Sequence, residues 1–124
     1  MNDFYFRKLK VYQQAMDLVA SIYRLSSIFP PQERNGLTNQ LRRAAISVPS
    51  NIAEGMGRFS KKERIHFLEI ANGSLMEVMC QLEIALKLEY ILQEQFEEQE
   101  HLISATTKML LGLRNTLINK QDDI

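Results

Sequence analysis

A regular apolar stripe in the second half of the chain constrains the fold more than any other feature. Its members are spaced alternately three and four positions apart: Leu68, Ala71, Leu75, Val78, Leu82 and Ala85. This spacing places all six side chains on one face of a helix. Ser60, with Glu63 three positions later, is typical of a helix start. The pattern therefore predicts a long helix that begins after Ser60 and runs to about Glu89.

Three further segments have the same periodicity. One covers about residues 9–28 and ends at Pro30 and Pro31; another runs from residue 32 or 37 to 54, with a kink predicted at Pro49. The last has one apolar stripe: Phe96, Ile103, Leu110, Leu113 and Leu117. Four amphipathic helices with short loops predict an all-α protein, an up-down-up-down antiparallel four-helix bundle that forms a single domain over residues 1–124.

Two glycines after the second helix allow two interpretations. The segment GMGRFSKK, residues 55–62, resembles a phosphate-binding loop, but it lacks the third glycine, the Walker spacing and a preceding strand. A helix stop, with positive backbone φ at Gly55 and Gly57, explains both residues without a ligand. We therefore favour the helix stop.

Two E-x-x-H motifs, Glu63 to His66 and Glu98 to His101, resemble those of di-iron bundles. At 100° per residue, each histidine lies about 200° from a core position, so both should point outward. We predict no metal site and no cofactor. Cys80 and the histidines have no supporting catalytic constellation, so we predict that the protein is not an enzyme.

The single cysteine excludes an internal disulfide, and neither a leader-like segment nor a long apolar run is present. We expect a soluble, cytoplasmic protein with no membrane partner.

A second row lies on the third helix opposite its core stripe. We call it the outer row: His66, Ile70, Gly73, Glu77, Cys80, Ile84, Leu88 and Ile91. An aligned row of apolar side chains is uncommon on a monomer's surface. The row therefore predicts a contact between copies of the chain, with Ile70, Gly73, Glu77, Ile84 and Leu88 in the interface.

Charge is distributed unevenly, although the net charge is zero. Residues 1–64 contain eleven lysines and arginines against five acids, and residues 65–124 contain four against ten. In an antiparallel bundle, one end gathers the basic pole: Arg7, Lys8, Lys10, Arg58, Lys61, Lys62, Arg64, Arg114 and Lys120. The other end gathers the acidic pole: Glu83, Glu89, Glu94, Glu97, Glu98 and Glu100. A positive rim is suited to phosphate backbones, so we predict nucleic-acid contacts at Arg7, Lys8, Arg58, Lys61, Lys62 and Arg64.

The segments GLTNQLRRAAISVPSNIAEGMGR and FLEIANGSLMEV resemble the 23S rRNA-intervening-sequence proteins, relatives of the accessory variability determinants of diversity-generating retroelements. The resemblance implies a bacterial four-helix bundle assembled into a ring, typically a homopentamer, of largely uncharacterised function. It also implies that the family-defining positions are Arg42, Arg43, Asn51, Glu54, Gly55, Gly57 and Arg58. Because the retroelement relatives are associated with nucleic acid, RNA or DNA is the expected partner. The alternative is a protein-binding scaffold that binds no nucleic acid.

Overall fold

Four long helices make up most of the computed structural model, which describes residues 4–120. They are α1 (Lys10–Ser26), α2 (Leu37–Met56), α3 (Lys61–Lys87) and α4 (Gln93–Asn119). Short 3-10 helices cover Tyr5–Lys8 and Pro31–Glu33. No strand occurs within residues 4–120. The predicted all-α class with four helices is therefore confirmed.

The predicted stripe of α3 forms the centre of the core. Leu68 is 1% exposed, and the other five members of the stripe are fully buried. Each buried leucine or valine contributes roughly 1.5–3 kcal/mol relative to leaving it in water. The stripe belongs to one apolar cluster that includes Leu18 and Ile22 of α1, Leu41 and Ile52 of α2, and Ile103 and Leu110 of α4.

The helices contact one another in a closed order. Helix α2 packs against α1 and α3, and α4 packs against α3 and α1. Pro49 lies inside α2 and is buried, so the helix continues through the proline as predicted. The kink at Pro49 stays a prediction.

Gly55 is a point of close approach between α2 and α3. A Cβ atom at this position would lie 2.7 Å from the Cβ of Phe67 and 3.3 Å from the carbonyl oxygen of Arg64. Gly55 belongs to α2, and Gly57 ends that helix with φ of −85°. The prediction of positive φ at Gly55 and Gly57 is therefore wrong, because the first glycine serves helix packing and the second keeps a right-handed conformation.

Helix α3 ends in a Schellman motif. The amide of Tyr90 donates to the carbonyl of Ala85 at 2.9 Å, and the amide of Glu89 donates to that of Leu86 at 3.0 Å. Glu89 adopts φ of 63°, the left-handed conformation that this motif requires. The chain therefore leaves the helix axis at Glu89, and Ile91 is 5% exposed, inside the core. The assignment of Ile91 to the outer row is wrong, because the helical periodicity stops before it.

Tyr90 also joins the α3–α4 connection to the segment before α2. Its hydroxyl donates to Oε2 of Glu33 at 2.8 Å, and Oε1 of Glu33 accepts from the amide of Leu37 at 3.1 Å. The hydrogen bonds from the Leu37 amide and the Tyr90 hydroxyl lower the pKa of the Glu33 carboxyl, because both stabilise its ionised form. The hydrogen bond to the same carboxylate raises the pKa of Tyr90, because it stabilises the protonated phenol.

Candidate nucleic-acid interface

The turn between α2 and α3 is held by hydrogen bonds on both sides. The amide of Arg58 donates to the carbonyl of Gly55 at 3.0 Å, and Nε of Arg64 donates to the carbonyl of Arg58 at 2.6 Å. Oγ of Ser60 accepts from the amide of Glu63 at 3.1 Å, so Ser60 is the N-cap of α3 as predicted. The connection between the two helices, residues 57–60, therefore has a defined backbone path.

An open groove of about 800 Å³ lies beside this turn. We call it the basic groove after the cationic or protonatable side chains that line it: Lys61, Lys62, Arg64, His66 and Lys120. Its remaining lining residues are Phe59, Ser60, Ile65, Glu69 and Leu117. Glu69 is the one carboxylate in this lining, and its Oε2 lies 3.6 Å from Nε of Arg114. The groove therefore has a surplus of positive charge.

Lys61 connects the start of α3 to the end of α4. Its Nζ donates to the carbonyl of Lys120 at 2.7 Å and to that of Ile118 at 3.5 Å. Carbonyl oxygens at a helix C-terminus carry partial negative charge, which favours an ammonium group there. Lys62 is exposed and makes no hydrogen bond or ion pair within residues 4–120, so its ammonium group is available to an external anion.

Arg58 is engaged inside its own chain. Its guanidinium lies 2.8 Å from Oε2 of Glu54, 3.5 Å from Oε2 of Glu63 and 4.7 Å from the centre of the Phe67 ring. Two carboxylates offset its charge locally. Of the six predicted phosphate contacts, Lys61, Lys62 and Arg64 share the basic groove, whereas Arg58 lines a neighbouring groove with Glu54 and Glu63.

The two other predicted contacts lie on the 3-10 helix before α1. Arg7 and Lys8 are exposed, and the Arg7 guanidinium lies 5.2 Å from the centre of the Phe4 ring. This 3-10 helix contacts α1 and α2. Neither side chain lines the basic groove.

The family-defining positions of α2 make contacts between helices. Nε of Arg42 donates to Oγ of Ser26 at 2.8 Å, which joins α2 to α1. Nδ2 of Asn51 donates to Oγ of Ser47 at 2.8 Å, and that hydroxyl shares a 2.8 Å hydrogen bond with Oγ of Ser74 on α3. With Gly55 against Phe67, this segment positions α2 between its two neighbours.

Arg43 differs from Arg42, because it is exposed and has no ion pair within residues 4–120. The Arg43 guanidinium therefore points to the surface without a carboxylate partner in the described part of this chain.

The outer row is exposed along α3. Ile70 is 38% exposed, Ile84 42% and Leu88 48%, and a Cβ at Gly73 would meet nothing within 4 Å. Glu77 and Cys80 are also exposed. Met76, which does not belong to the predicted row, is 47% exposed beside them. Apart from Ile91, the row therefore presents apolar side chains to the surface of a single chain.

Both histidines of the E-x-x-H motifs are exposed, which confirms their predicted outward orientation. Within residues 4–120, no three histidine, cysteine, aspartate or glutamate side chains converge where they could hold a metal ion. The described helices also include none with the length and apolar character needed to cross a membrane.

Phe59 is the feature of this site that sequence reasoning missed. Its side chain is 100% exposed at the edge of the basic groove. Periodicity cannot reveal such a residue, because Phe59 lies between helices. The available signal was its place in the sequence, between Arg58 and the pair Lys61 and Lys62.

The fold and this site define an all-helical, four-helix protein with a positively charged groove at one interhelical turn. The model of the 23S rRNA-intervening sequence protein family matches residues 7–112, and the chain belongs to that family. A solved structure of a protein of unknown function from the S23 ribosomal protein family of Bacteroides thetaiotaomicron is similar, with a TM-score of 0.78 and 25% identity. The match covers 84% of this chain and 97% of that one. A search of curated proteins found no match.

Proposed function

We propose that the chain is a non-enzymatic, cytoplasmic homo-oligomer that binds nucleic acid through the basic groove. The observation that carries this proposal is the convergence of Lys61, Lys62, Arg64, His66 and Lys120 on one open surface with a single lining carboxylate. Phosphate backbones bind such surfaces because each lysine or arginine contact releases condensed counterions.

The position of Lys61 and Lys62 supports a role beyond stability. Both lie in the first turn of α3, where the helix dipole disfavours a cation by a few tenths of a kcal/mol. Lys61 donates hydrogen bonds to carbonyl oxygens at the end of α4, but Lys62 has no such contact within residues 4–120. An external anion would offset the unfavourable position of Lys62.

An antiparallel arrangement of the helices is part of the proposal. The contact of Lys61 with Lys120 brings the start of α3 to the end of α4, and the contact of Gly55 with Phe67 brings the end of α2 to the start of α3. At the other end, Gln99 near the start of α4 donates to Ser21 in the second half of α1 at 2.7 Å. These contacts support an up-down-up-down bundle in which the basic pole lies at one end and the acidic pole at the other.

Assembly into a ring would multiply the groove. A ring closes through a heterologous contact, which requires two unlike patches on each copy. The outer row of α3 is one candidate patch. The other is an apolar groove between α1 and α2, where Met16 is 47% and Ile46 41% exposed. We propose that these two patches meet between neighbouring copies, in a ring that the family resemblance suggests is a pentamer.

Lys62→Gln tests nucleic-acid binding most directly, because it removes the charge without disturbing the hydrogen bonds of Lys61. Binding of a fluorescein-labelled oligonucleotide is followed by anisotropy between about 50 and 200 mM salt. We expect the slope of log K against log salt to fall in magnitude by about 0.7 to 0.9 for each phosphate that Lys62 neutralises in the wild-type complex.

Lys87→Gln is the matched control, since it removes the same charge from the last turn of α3, away from the groove. It should leave both the affinity and the slope unchanged. Equal effects of the two substitutions would mean that only net charge matters and would contradict the groove. Absence of wild-type binding at low salt would contradict nucleic-acid binding altogether.

A protein-binding scaffold is the second candidate, favoured by the exposed apolar side chains of α1 and α2. Met16, Tyr23 and Ile46 are each at least 40% exposed in the single chain. If these side chains bind a different protein rather than a second copy, the chain should remain monomeric and should not bind the oligonucleotide.

A further inference from the structure

Phe59 has no packing role in its own chain. The ring is 100% exposed, whereas the neighbouring Phe67 is partly buried and lies beneath the Arg58 guanidinium. A single exposed aromatic side chain needs no explanation on a surface. Beside a cationic groove, however, the ring adds an aromatic face to a charged surface, so that one ligand can contact both.

The backbone that carries this ring is already ordered. The amide of Gly57 donates to the carbonyls of Ala53 and Glu54, the Arg64 side chain holds the carbonyl of Arg58, and Ser60 caps α3. A binding partner would therefore not have to order the turn. Preorganisation of this kind reduces the entropic cost of binding.

The ring separates two unlike surfaces. On one side is the basic groove with Lys61, Lys62, Arg64, His66 and Lys120. On the other is a groove in which Glu54 and Glu63 accompany Arg58. A bound polyanion is therefore directed to the groove of Lys61, Lys62 and Arg64, which Phe59 also lines.

We propose that Phe59 is a stacking platform for an unpaired base, and that the ligand of the basic groove is single-stranded nucleic acid. This inference rests on the proposed nucleic-acid function. Aromatic faces bind bases of single strands, and neighbouring cations hold the connecting phosphates. A base inside a duplex has both faces covered by its neighbours, so a duplex cannot use this ring without being opened.

Phe59→Trp provides a direct optical test, because the chain contains no tryptophan. A base that stacks on the introduced indole quenches its fluorescence. We expect strong quenching on titration with a 12-nucleotide single strand, in DNA and RNA versions, and little quenching with the corresponding duplex. The DNA and RNA arms identify which strand the groove prefers.

Phe59→Ala and Phe59→Leu separate stacking from simple apolar contact. Alanine should weaken single-strand binding about tenfold, while duplex affinity and the salt slope stay close to wild type. Leucine retains apolar bulk without an aromatic face, so it should resemble alanine. Circular dichroism should show unchanged helicity in all three variants, because the ring packs against nothing in its own chain.

Three results would overturn the inference. One is an unquenched Phe59→Trp variant that still binds the single strand with the wild-type salt slope; the nucleic-acid function would then stand without the stacking platform. Another is equal binding of single strand and duplex. The last is a lower oligomeric mass of Phe59→Ala, which would assign the ring to a contact between copies. Failure of wild type and Lys87→Gln to bind any strand at low salt would instead remove the proposed function itself.

Discussion

Glu89 holds the left-handed conformation that ends α3, although glycine is the residue that adopts this conformation without strain. The Schellman bonds to Ala85 and Leu86 impose φ of 63° on it. The side chain is exposed and has no hydrogen bond or ion pair within residues 4–120. Its identity is therefore not explained by a contact in this part of the chain.

Glu89→Gly should stabilise the protein by about 1 kcal/mol, because it removes the clash between Cβ and backbone in the left-handed region. Chemical denaturation of wild type and variant measures the difference. Glu89→Ala is the control, since it removes the carboxylate but keeps Cβ; it should give no comparable gain. A stabilising effect of alanine equal to that of glycine would assign the cost to charge rather than to backbone strain.

At the scale of the elements, helices α2 and α3 approach each other closely at Gly55. Gly55 permits the backbone of α2 to approach Phe67, and the hydroxyls of Ser47 and Ser74 bond across the same interface. Small side chains and a short polar network together fix the separation of the two helices.

Gly55→Ala should destabilise the bundle by about 1–3 kcal/mol, because the new methyl group would overlap Phe67 Cβ and force the helices apart. Gly112→Ala on α4 is the matched control, since a Cβ there would meet nothing within 4 Å. That variant should instead gain about 0.5–1 kcal/mol from helix propensity. Thermal denaturation of both variants distinguishes packing from helix propensity. A stability change of the same sign in the two variants would contradict the close approach of α2 and α3.

Periodicity is sufficient to predict the helices and the stripe from Leu68 to Ala85, because burial of one helix face repeats every three or four residues. The end of α3 near Glu89 is also predicted, but the left-handed turn that carries the chain into the core is not, since Glu89 provides none of the usual signal of a C-terminal glycine. Periodicity therefore places Ile91 in the wrong environment. From the sequence, Gly55 suggests a helix stop. Its actual role is missed because its contact with Phe67 involves two helices, and the spacing within one segment does not describe such a contact.

The site is only partly predictable for a related reason. The excess of cations around Lys61 and Lys62 is visible in the sequence, but the ion pairs of Arg58 depend on where the α2–α3 turn places Glu54 and Glu63. Charge alone makes Arg58 equivalent to Lys62. The geometry distinguishes an arginine whose charge is offset from a lysine that is available to a ligand.

At the scale of the whole molecule, the helices leave apolar side chains on the outside of α3 and between α1 and α2. Ile70, Ile84 and Leu88 are each more than a third exposed, in line along one helix. Contact between copies would cover them and would bring several basic grooves into one particle. The avidity of that particle for a long strand would exceed that of one groove.

Ile84→Asp should dissociate the assembly while leaving the helical content largely intact, because a carboxylate in an apolar interface loses its water without gaining a partner. Leu111→Asp is the matched control: Leu111 is 54% exposed on α4, outside the outer row. The control should keep the wild-type mass. Loss of helicity in Ile84→Asp would instead indicate a role of this residue in the fold.

Sedimentation velocity of the wild-type protein tests whether the outer row of α3 is an interface between copies. One chain has a mass of 14.4 kDa. We expect a single species at a multiple of that mass, reduced to 14.4 kDa by Ile84→Asp. A wild-type monomer at micromolar concentration, or an oligomer of unchanged mass in Ile84→Asp, would contradict such an interface.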